Sequence, residues 1–61
     1  MEYKSSIYEQ KSEKYLVSES DGEFTLGDAE ERLLFYDEAE AENVLMMLND
    51  TTDLCFVLLE E

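Results

Sequence analysis

The chain contains no histidine and only one cysteine, Cys55. A disulfide within the chain is therefore excluded, because Cys55 can pair only with a cysteine of another chain. A structural zinc site would lack its usual histidine and cysteine ligands. The commonest general base is also missing, and Cys55 stands in an apolar stretch without a neighbouring base, which favours a small buried residue over a nucleophile. We therefore predict no enzymatic activity, no metal site and no cofactor.

Basic residues are almost absent beyond residue 14. Residues 1–14 balance three acids with three lysines, whereas the remainder carries fourteen acids and one base, Arg32, which accounts for the net charge of −13. Nucleic acids and anionic membrane surfaces are bound by basic patches, so direct binding to either is excluded. The chain has no apolar run of membrane-spanning length and no signal-peptide pattern. Together with the unpaired cysteine, these absences predict a cytoplasmic protein.

Proline is absent too, and 44% of the residues are hydrophobic. This composition predicts a folded chain in spite of its charge, organised as a single small acidic domain over residues 1–61. So short a chain buries only about 60% of the surface that its unfolded form exposes. We therefore expect association to add stability, with a homodimer as its simplest form.

Alternating residues in the first half of the chain predict three antiparallel strands. They cover residues 3–10, 14–19 and 24–26. The Asp21-Gly22 pair within residues 20–23 favours a tight hairpin between the second and third strands. Residues 32–36, RLLFY, remain open between a fourth strand and an extended lead into a helix.

One helix is predicted over about residues 38–49. Asp37 is the expected N-cap, with Glu40 at the capping-box position and Asn49 and Asp50 at the end. Four apolar residues share one face of this helix, at the spacing of a buried stripe. They are Ala41, Val44, Leu45 and Leu48.

The closing strand, residues 54–59, is apolar on both faces. Leu54, Phe56 and Leu58 are expected to pack under the helix, as one face of such a sheet does. The other face, with Cys55, Val57 and Leu59, is left for a curled sheet or for a partner subunit, and we prefer a dimer interface. In the alternative, this strand is central and aromatic residues of the first two strands cover it. The predicted fold class is α+β, a small antiparallel sheet of four strands, with three to five considered, and one helix on one face.

An acid-rich turn at residues 19–28 resembles part of a calcium-binding loop. Its spacing fails, because Val17 falls on the first ligand position, where a carboxylate is required. The flanking residues also have strand patterns where such a loop needs helices. A calcium site is therefore not predicted.

The start of the helix concentrates acids without a base. Acids near a helix N-terminus are stabilised by its dipole, which explains part of the cluster. Glu38 and Glu42, however, repel each other at a spacing of one turn. Solubility alone requires a net charge of only about 2 to 8 in magnitude. Carboxylates held at about 6 to 7 Å along a strand or helix would instead resemble a row of backbone phosphates.

In size, charge, absence of histidine and proline, and α+β pattern, the chain resembles the small acidic DNA-mimic proteins that bacteriophages use to occupy host DNA-binding proteins. The resemblance covers these general properties and includes no diagnostic motif, so no residue is carried over from that class. It implies an inhibitor in the host bacterial cytoplasm whose partner is a basic DNA-binding protein. Known targets of the class include histone-like proteins of the HU type, restriction enzymes, uracil-DNA glycosylase and CRISPR effectors. An HU-type protein fits best, because such proteins bind DNA without reading bases.

The predicted partner-binding residues are ten acids between the second strand and the middle of the helix. They are Glu19, Asp21, Glu23, Asp28, Glu30, Glu31, Asp37, Glu38, Glu40 and Glu42. A second hypothesis is an acidic phage inhibitor that docks outside the DNA channel of a host enzyme such as RNA polymerase, a nuclease or a CRISPR effector. Its anchors would be Tyr8, Tyr15 or Tyr36. A third is a small structural or regulatory dimer that is acidic for solubility.

Overall fold

The computed structural model describes residues 2–61, and Met1 lies outside the described residues. One four-stranded antiparallel sheet in the order β3-β2-β1-β4 packs against one helix, which confirms the predicted α+β class. The elements are β1 (Ser5–Glu9), β2 (Lys14–Ser20), β3 (Glu23–Gly27), a 3-10 helix (Ala29–Glu31), α1 (Glu38–Thr51) and β4 (Phe56–Glu60). The first three strands lie within two residues of their predicted bounds. No helix in residues 2–61 is long and apolar enough to cross a bilayer.

The hairpin between β2 and β3 has the predicted tight turn. Asp21 and Gly22 both have positive φ, 51° and 88°, and Ser20 pairs with Glu23 across them. Two positive φ values at the central residues are those of a type I′ turn, whose twist matches the twist of the flanking strands. Glycine is needed at residue 22 because a φ of 88° strains a residue that has a Cβ. Lack of space is not the reason, since a Cβ there would meet no atom within 4 Å.

Residues 32–36 are an extended lead into the helix, one of the two predicted alternatives. Leu33 donates its N–H to the Leu16 carbonyl (2.8 Å), and Phe35 exchanges two backbone hydrogen bonds with Ser5 (2.8 and 3.0 Å). The segment therefore bonds to both β1 and β2 where these two strands no longer pair with each other. Phe35, only 5% exposed, enters the core at this point.

The helix begins as predicted and ends later than predicted. The Asp37 carboxylate accepts a hydrogen bond from the Glu40 N–H (3.2 Å), which confirms the N-cap. The predicted end at Asn49 and Asp50 is close to the observed one, since α1 ends at Thr51, one residue past Asp50. The Asn49 amide bonds to β4 instead of stopping the helix, and the Thr51 hydroxyl donates to the Met47 carbonyl (2.8 Å), one of the last carbonyls that need a partner.

The core lies between α1 and one face of the sheet. Its buried residues are Ile7, Leu16, Phe35, Ala41, Leu48 and Phe56. Val44 and Leu45 pack against this cluster, so the predicted apolar face of the helix is confirmed. Leu54 and Leu58 also pack against it, on the helix side of the sheet as predicted.

The closing strand β4 lies at an edge of the sheet, so the alternative of a central position is wrong. It also begins later than the predicted residue 54. The Leu54 N–H donates to the Thr52 hydroxyl (3.2 Å) and the Cys55 N–H to the Glu9 carboxylate (2.9 Å), so neither N–H joins the ladder, although the Cys55 carbonyl still accepts from the Gln10 N–H (2.9 Å). Residues 56–60 then pair with β1 along its whole length.

Candidate acidic interaction surface

The ten predicted acids fall into three groups along the chain. The hairpin acids are Glu19, Asp21 and Glu23; the connector acids are Asp28, Glu30 and Glu31; the helix acids are Asp37, Glu38, Glu40 and Glu42. All of them are exposed except Glu19, which is half-buried. The structure thus leaves all ten side chains in contact with solvent, nine of them exposed, on three different elements of the fold.

The helix acids form the densest group. Glu38 and Glu42 lie one turn apart on the same side of α1, whereas Glu40 projects from another side, because two residues turn a helix through about 200°. Asp37 is partly engaged, since one of its oxygens caps the helix. The dipole of α1 stabilises negative charge at this end, and its last turn carries no basic residue. Glu38 and Glu42 are therefore the pair that matches the predicted spacing of phosphate-like carboxylates.

The hairpin acids do not form a row on one face. Leu16 pairs with Leu26, but a bulge follows, and Glu19 then pairs with Phe24 instead of with Glu23. Cross-strand partners share a face, so Glu19 lies on the helix side with Phe24, while Glu23 points to the opposite face. Glu19 also accepts a hydrogen bond from the Gly22 N–H (3.0 Å), which supports the turn. The bulge thus avoids two like charges directly opposite each other.

The connector acids surround the 3-10 helix after β3. Asp28 precedes it without making a side-chain capping bond, and Glu30 and Glu31 lie in its first turn. The Glu31 carboxylate reaches back over the end of β3, where a Cβ added to Gly27 would lie 3.1 Å from its Oε2. The connector therefore brings negative charge beside β2 and β3, on a segment that precedes the helix acids in the sequence.

Only one ion pair forms within residues 2–61, and it involves none of the ten acids. Arg32 donates to Glu61 through Nε (2.6 Å) and Nη2, and its Nη1 donates to the Ala29 carbonyl (2.7 Å). The hydrogen bonds from Arg32 lower the pKa of Glu61 to about 2, and those to Glu61 raise the pKa of Arg32. Arg32, the single base beyond residue 14, is thus paired with Glu61, which is not one of the ten predicted partner-binding acids.

Glu9 is an acid whose importance the sequence analysis missed. It is fully buried and accepts four hydrogen bonds, from the N–H groups of Lys11 (3.0 Å), Ser12 (2.7 Å) and Cys55 (2.9 Å) and from the Ser12 hydroxyl (2.7 Å). Burial alone would raise its pKa, but these hydrogen bonds outweigh burial and lower the pKa to about 2. The carboxylate ties the β1–β2 loop to the start of β4. Glu9 follows Ile7 by two residues in β1, so the two side chains share the inward face of the sheet. This spacing was the signal available in the sequence.

The tyrosines of the second hypothesis occupy two different environments. Tyr36 is 64% exposed and immediately precedes the helix acids. Tyr8 and Tyr15 are half-buried and pack edge to face, with ring centroids 5.0 Å apart, on the sheet face opposite α1. Burial, followed by the nearby charges of Glu13, Tyr15 and Glu9, raises the pKa of Tyr8. Tyr36 is therefore the tyrosine most accessible to a partner.

The acidic side chains are dispersed rather than focused on one point. In the described part of the chain, no three carboxylate or thiol groups converge closely enough to hold a metal ion. A cleft of about 520 Å³ beside the β2–β3 hairpin brings Glu19 and Glu23 to its walls together with Phe24. The arrangement therefore offers many separate charges to a large partner.

Comparisons of the chain with protein-family models, curated proteins and solved structures return no match.

Proposed function

We propose that the chain is a non-enzymatic DNA mimic whose exposed carboxylates occupy the DNA-binding site of a basic protein and block DNA binding. The observation that supports this proposal is the lack of neutralising partners. The chain has seventeen acids, and among residues 2–61 only Glu61 forms an ion pair, which leaves sixteen without one. Glu9 is satisfied by hydrogen bonds, and the predicted acids lie at the surface.

Uncompensated surface charge first affects the rate at which the chain meets a partner. A net charge of −13 on 61 residues steers a basic partner towards the chain, as a duplex does. The backbone that carries these carboxylates belongs to a helix and a hairpin, so little backbone freedom is lost when a partner binds. Lysines and arginines that bind phosphates can then bind these carboxylates instead.

The favoured partner is a host protein that binds the DNA backbone without reading bases. The three groups of acids supply charge on separate elements, and they supply no groups arranged like base edges. Histone-like nucleoid proteins of the HU type have this kind of binding surface. We propose such a protein as the target, in the bacterial cytoplasm where a phage protein would meet it.

The direct test is a competition between the chain and DNA. A purified HU-type protein is bound to a fluorescently labelled duplex, and the anisotropy of the duplex is followed while the chain is added. We expect the duplex to be released. Measured without DNA, the affinity of the chain for the target should fall at higher salt, because screening weakens the attraction between them. A duplex that stays bound while the chain also binds would contradict the proposal.

A second candidate function is supported by the exposure of Tyr36. An inhibitor that docks outside the DNA channel of RNA polymerase, a nuclease or a CRISPR effector needs an aromatic anchor more than a set of carboxylates. Tyr36 is 64% exposed and available for that role. Under this candidate, Tyr36→Ala weakens binding to the target strongly and duplex DNA does not displace the chain. Under the DNA mimic, Tyr36→Ala has a small effect and DNA competes.

A further inference from the structure

We propose that the free edge of β3 binds an extended basic segment of a partner protein as an additional strand of the sheet. The free edge is the side of Glu23–Gly27 that faces away from β2. This inference rests on the proposed function for the identity of the partner, since the same basic protein would be held by backbone hydrogen bonds as well as by charge. The site itself is defined by the backbone of β3 and does not involve the helix acids.

The register shows which backbone groups point to the free edge. Glu23 directly follows the two-residue turn, and the residue in this position exchanges backbone hydrogen bonds with its partner on the other strand. Such pairs alternate with pairs whose N–H and C=O groups point outward, so Phe24 directs both groups away from β2. Leu26 does the same, because its partner Leu16 directs its carbonyl away from β3, to the Leu33 N–H (2.8 Å).

No element within residues 2–61 pairs with these outward groups. β3 is the end strand of the sheet, and no backbone hydrogen bond from a loop or from α1 reaches Phe24 or Leu26. The N–H and C=O groups of these two residues are therefore available in a row, at the spacing that a further strand requires. Peptides add as strands to exposed sheet edges of this kind.

The opposite edge of the sheet is partly closed. Asn49 Oδ1 accepts from the Phe56 N–H (2.8 Å) and its Nδ2 donates to the Phe56 carbonyl (3.1 Å), so a side-chain amide occupies the first outward groups of β4. The residues predicted for a dimer interface also belong to this side of the fold, because Cys55 precedes β4 and Val57 and Leu59 lie within it. The β3 edge is therefore the more accessible of the two.

The charges along the β3 edge favour a basic occupant. Residues 15–31, from β2 to the end of the 3-10 helix, carry six acids and no base. Lys14, at the far end of β2, is adjacent to Glu13, so these two residues add no net charge, and Arg32 is bonded to Glu61. A second copy at this edge would bring two such sets of acids together, whereas lysines or arginines of a partner would neutralise them.

The cleft beside the hairpin provides contacts for the side chains of an added strand. Among its lining residues, Glu19 and Glu23 lie on opposite faces of the sheet, and Phe24 is half-buried on the helix side. The two carboxylates can pair with basic side chains on either face of the added strand, and the Phe24 ring can contact the aliphatic stem of a lysine. An extended segment with bases on both faces therefore fits the cleft.

The test uses a capped peptide of two Lys-Lys-Thr-Thr repeats, which places lysines on both faces of an extended strand. Hydrogen exchange of the intact chain is measured by NMR with and without this peptide. We expect the Phe24 and Leu26 amide protons to exchange rapidly in the free chain and to become protected when the peptide binds. N-methylation of the two central peptide residues keeps every charge but removes backbone donors, so it should weaken binding about tenfold. N-methylation of the two terminal residues is the matched control and should have little effect.

Two charge-matched variants of the chain locate the site. Glu19→Gln combined with Glu23→Gln should weaken peptide binding, and Asp50→Asn combined with Glu60→Gln, which removes two charges elsewhere, should weaken it less. Glu19→Gln keeps an oxygen that can accept from the Gly22 N–H, so the turn is retained. A larger effect of the second variant would move the site to the β4 edge and overturn the inference.

Other results of the same experiment would also overturn the inference. They are the absence of peptide binding, and binding that leaves Phe24 and Leu26 unprotected or that both N-methylated peptides retain equally. Protection that rises with the concentration of the chain alone would make a second copy the occupant. If the chain fails these tests but releases duplex DNA from an HU-type protein, the proposed function stands without this site. If the peptide binds at the β3 edge and DNA is not released, the proposed function fails and the site stands.

Discussion

Glu9 and Glu38 show two opposite uses of the same side chain. Glu9 is fully buried, and its two oxygens accept four hydrogen bonds from the β1–β2 loop and from the start of β4. Glu38 lies in the first turn of α1, is exposed, and has no ion-pair partner within residues 2–61. A carboxylate whose acceptor positions are filled by the backbone stabilises the fold. A carboxylate without such partners is free to bind another molecule.

The largest expected effect follows from removing the buried carboxylate. Glu9→Gln replaces an acceptor oxygen by an NH₂ group that faces N–H donors, so buried donors lose their partner. We expect a clear fall in the urea midpoint of unfolding, larger than for any other single change considered below. Glu38→Gln is the matched control and should shift the midpoint little, as exposed substitutions usually do. Equal shifts for the two variants would remove the distinction between the two carboxylates.

The same comparison predicts a dependence on pH. The pKa of Glu9 is about 2 in the folded chain against an ordinary value of 4.5. Because folding lowers this pKa, the carboxylate contributes stability above pH 4.5, and that contribution is lost as the pH falls from 4.5 towards 2. The difference in urea midpoint between wild type and Glu9→Gln should therefore shrink over this range. A difference that is constant with pH would show that the ionised form of Glu9 is not what stabilises the fold.

Asp37 combines both uses, because it caps the helix and is exposed. Asp37→Ala removes the cap and should lower the free energy of unfolding by about 1 kcal/mol. Asp37→Asn keeps a capping oxygen and should be nearly neutral for stability while it removes one charge. Urea unfolding of the two variants measures this contrast. A loss of stability in both would assign the effect to charge at the helix dipole instead of to the cap.

The smallest expected effect is that of Glu42→Lys, which should raise the stability of the chain and weaken its function. Glu42→Lys places a lysine one turn after Glu38, an arrangement that stabilises a helix by about 0.2 to 0.5 kcal/mol. Under the DNA mimic, the same change weakens the release of DNA from the HU-type protein. Unfolding and competition measured on one preparation test both effects. A variant that is more stable and equally active would show that Glu42 contributes nothing to binding.

Local signals made part of the fold predictable. The Asp21-Gly22 turn and the Asp37 cap depend on residues that are close in sequence, and both form as predicted. Asn49 was predicted to end α1, but its amide bonds to Phe56, seven residues later, and the helix runs on to Thr51. The role of Glu9 was missed for the same reason, since one of its donors, Cys55, is 46 residues away.

The candidate site was predictable in composition and not in geometry. The exposure of the acids follows from their charge, because an unpaired carboxylate is costly to bury. Their directions depend on features that the sequence does not reveal by itself. The bulge between Leu16 and Ser18 changes the partner of Glu19 from Glu23 to Phe24, and this decides that the two acids point to opposite faces.

The central claim is that unpaired carboxylates at defined positions stand in for phosphates, and two charge-matched variants test it most directly. One carries Asp37→Asn, Glu38→Gln, Glu40→Gln and Glu42→Gln; the other carries Glu2→Gln, Glu13→Gln, Asp50→Asn and Glu60→Gln. Each removes four charges, so the net charge changes from −13 to −9 in both. The account predicts that the first variant loses most of its ability to release duplex DNA from an HU-type protein while the second keeps it. Equal activity of the two variants would contradict it, because overall charge would then suffice without these positions.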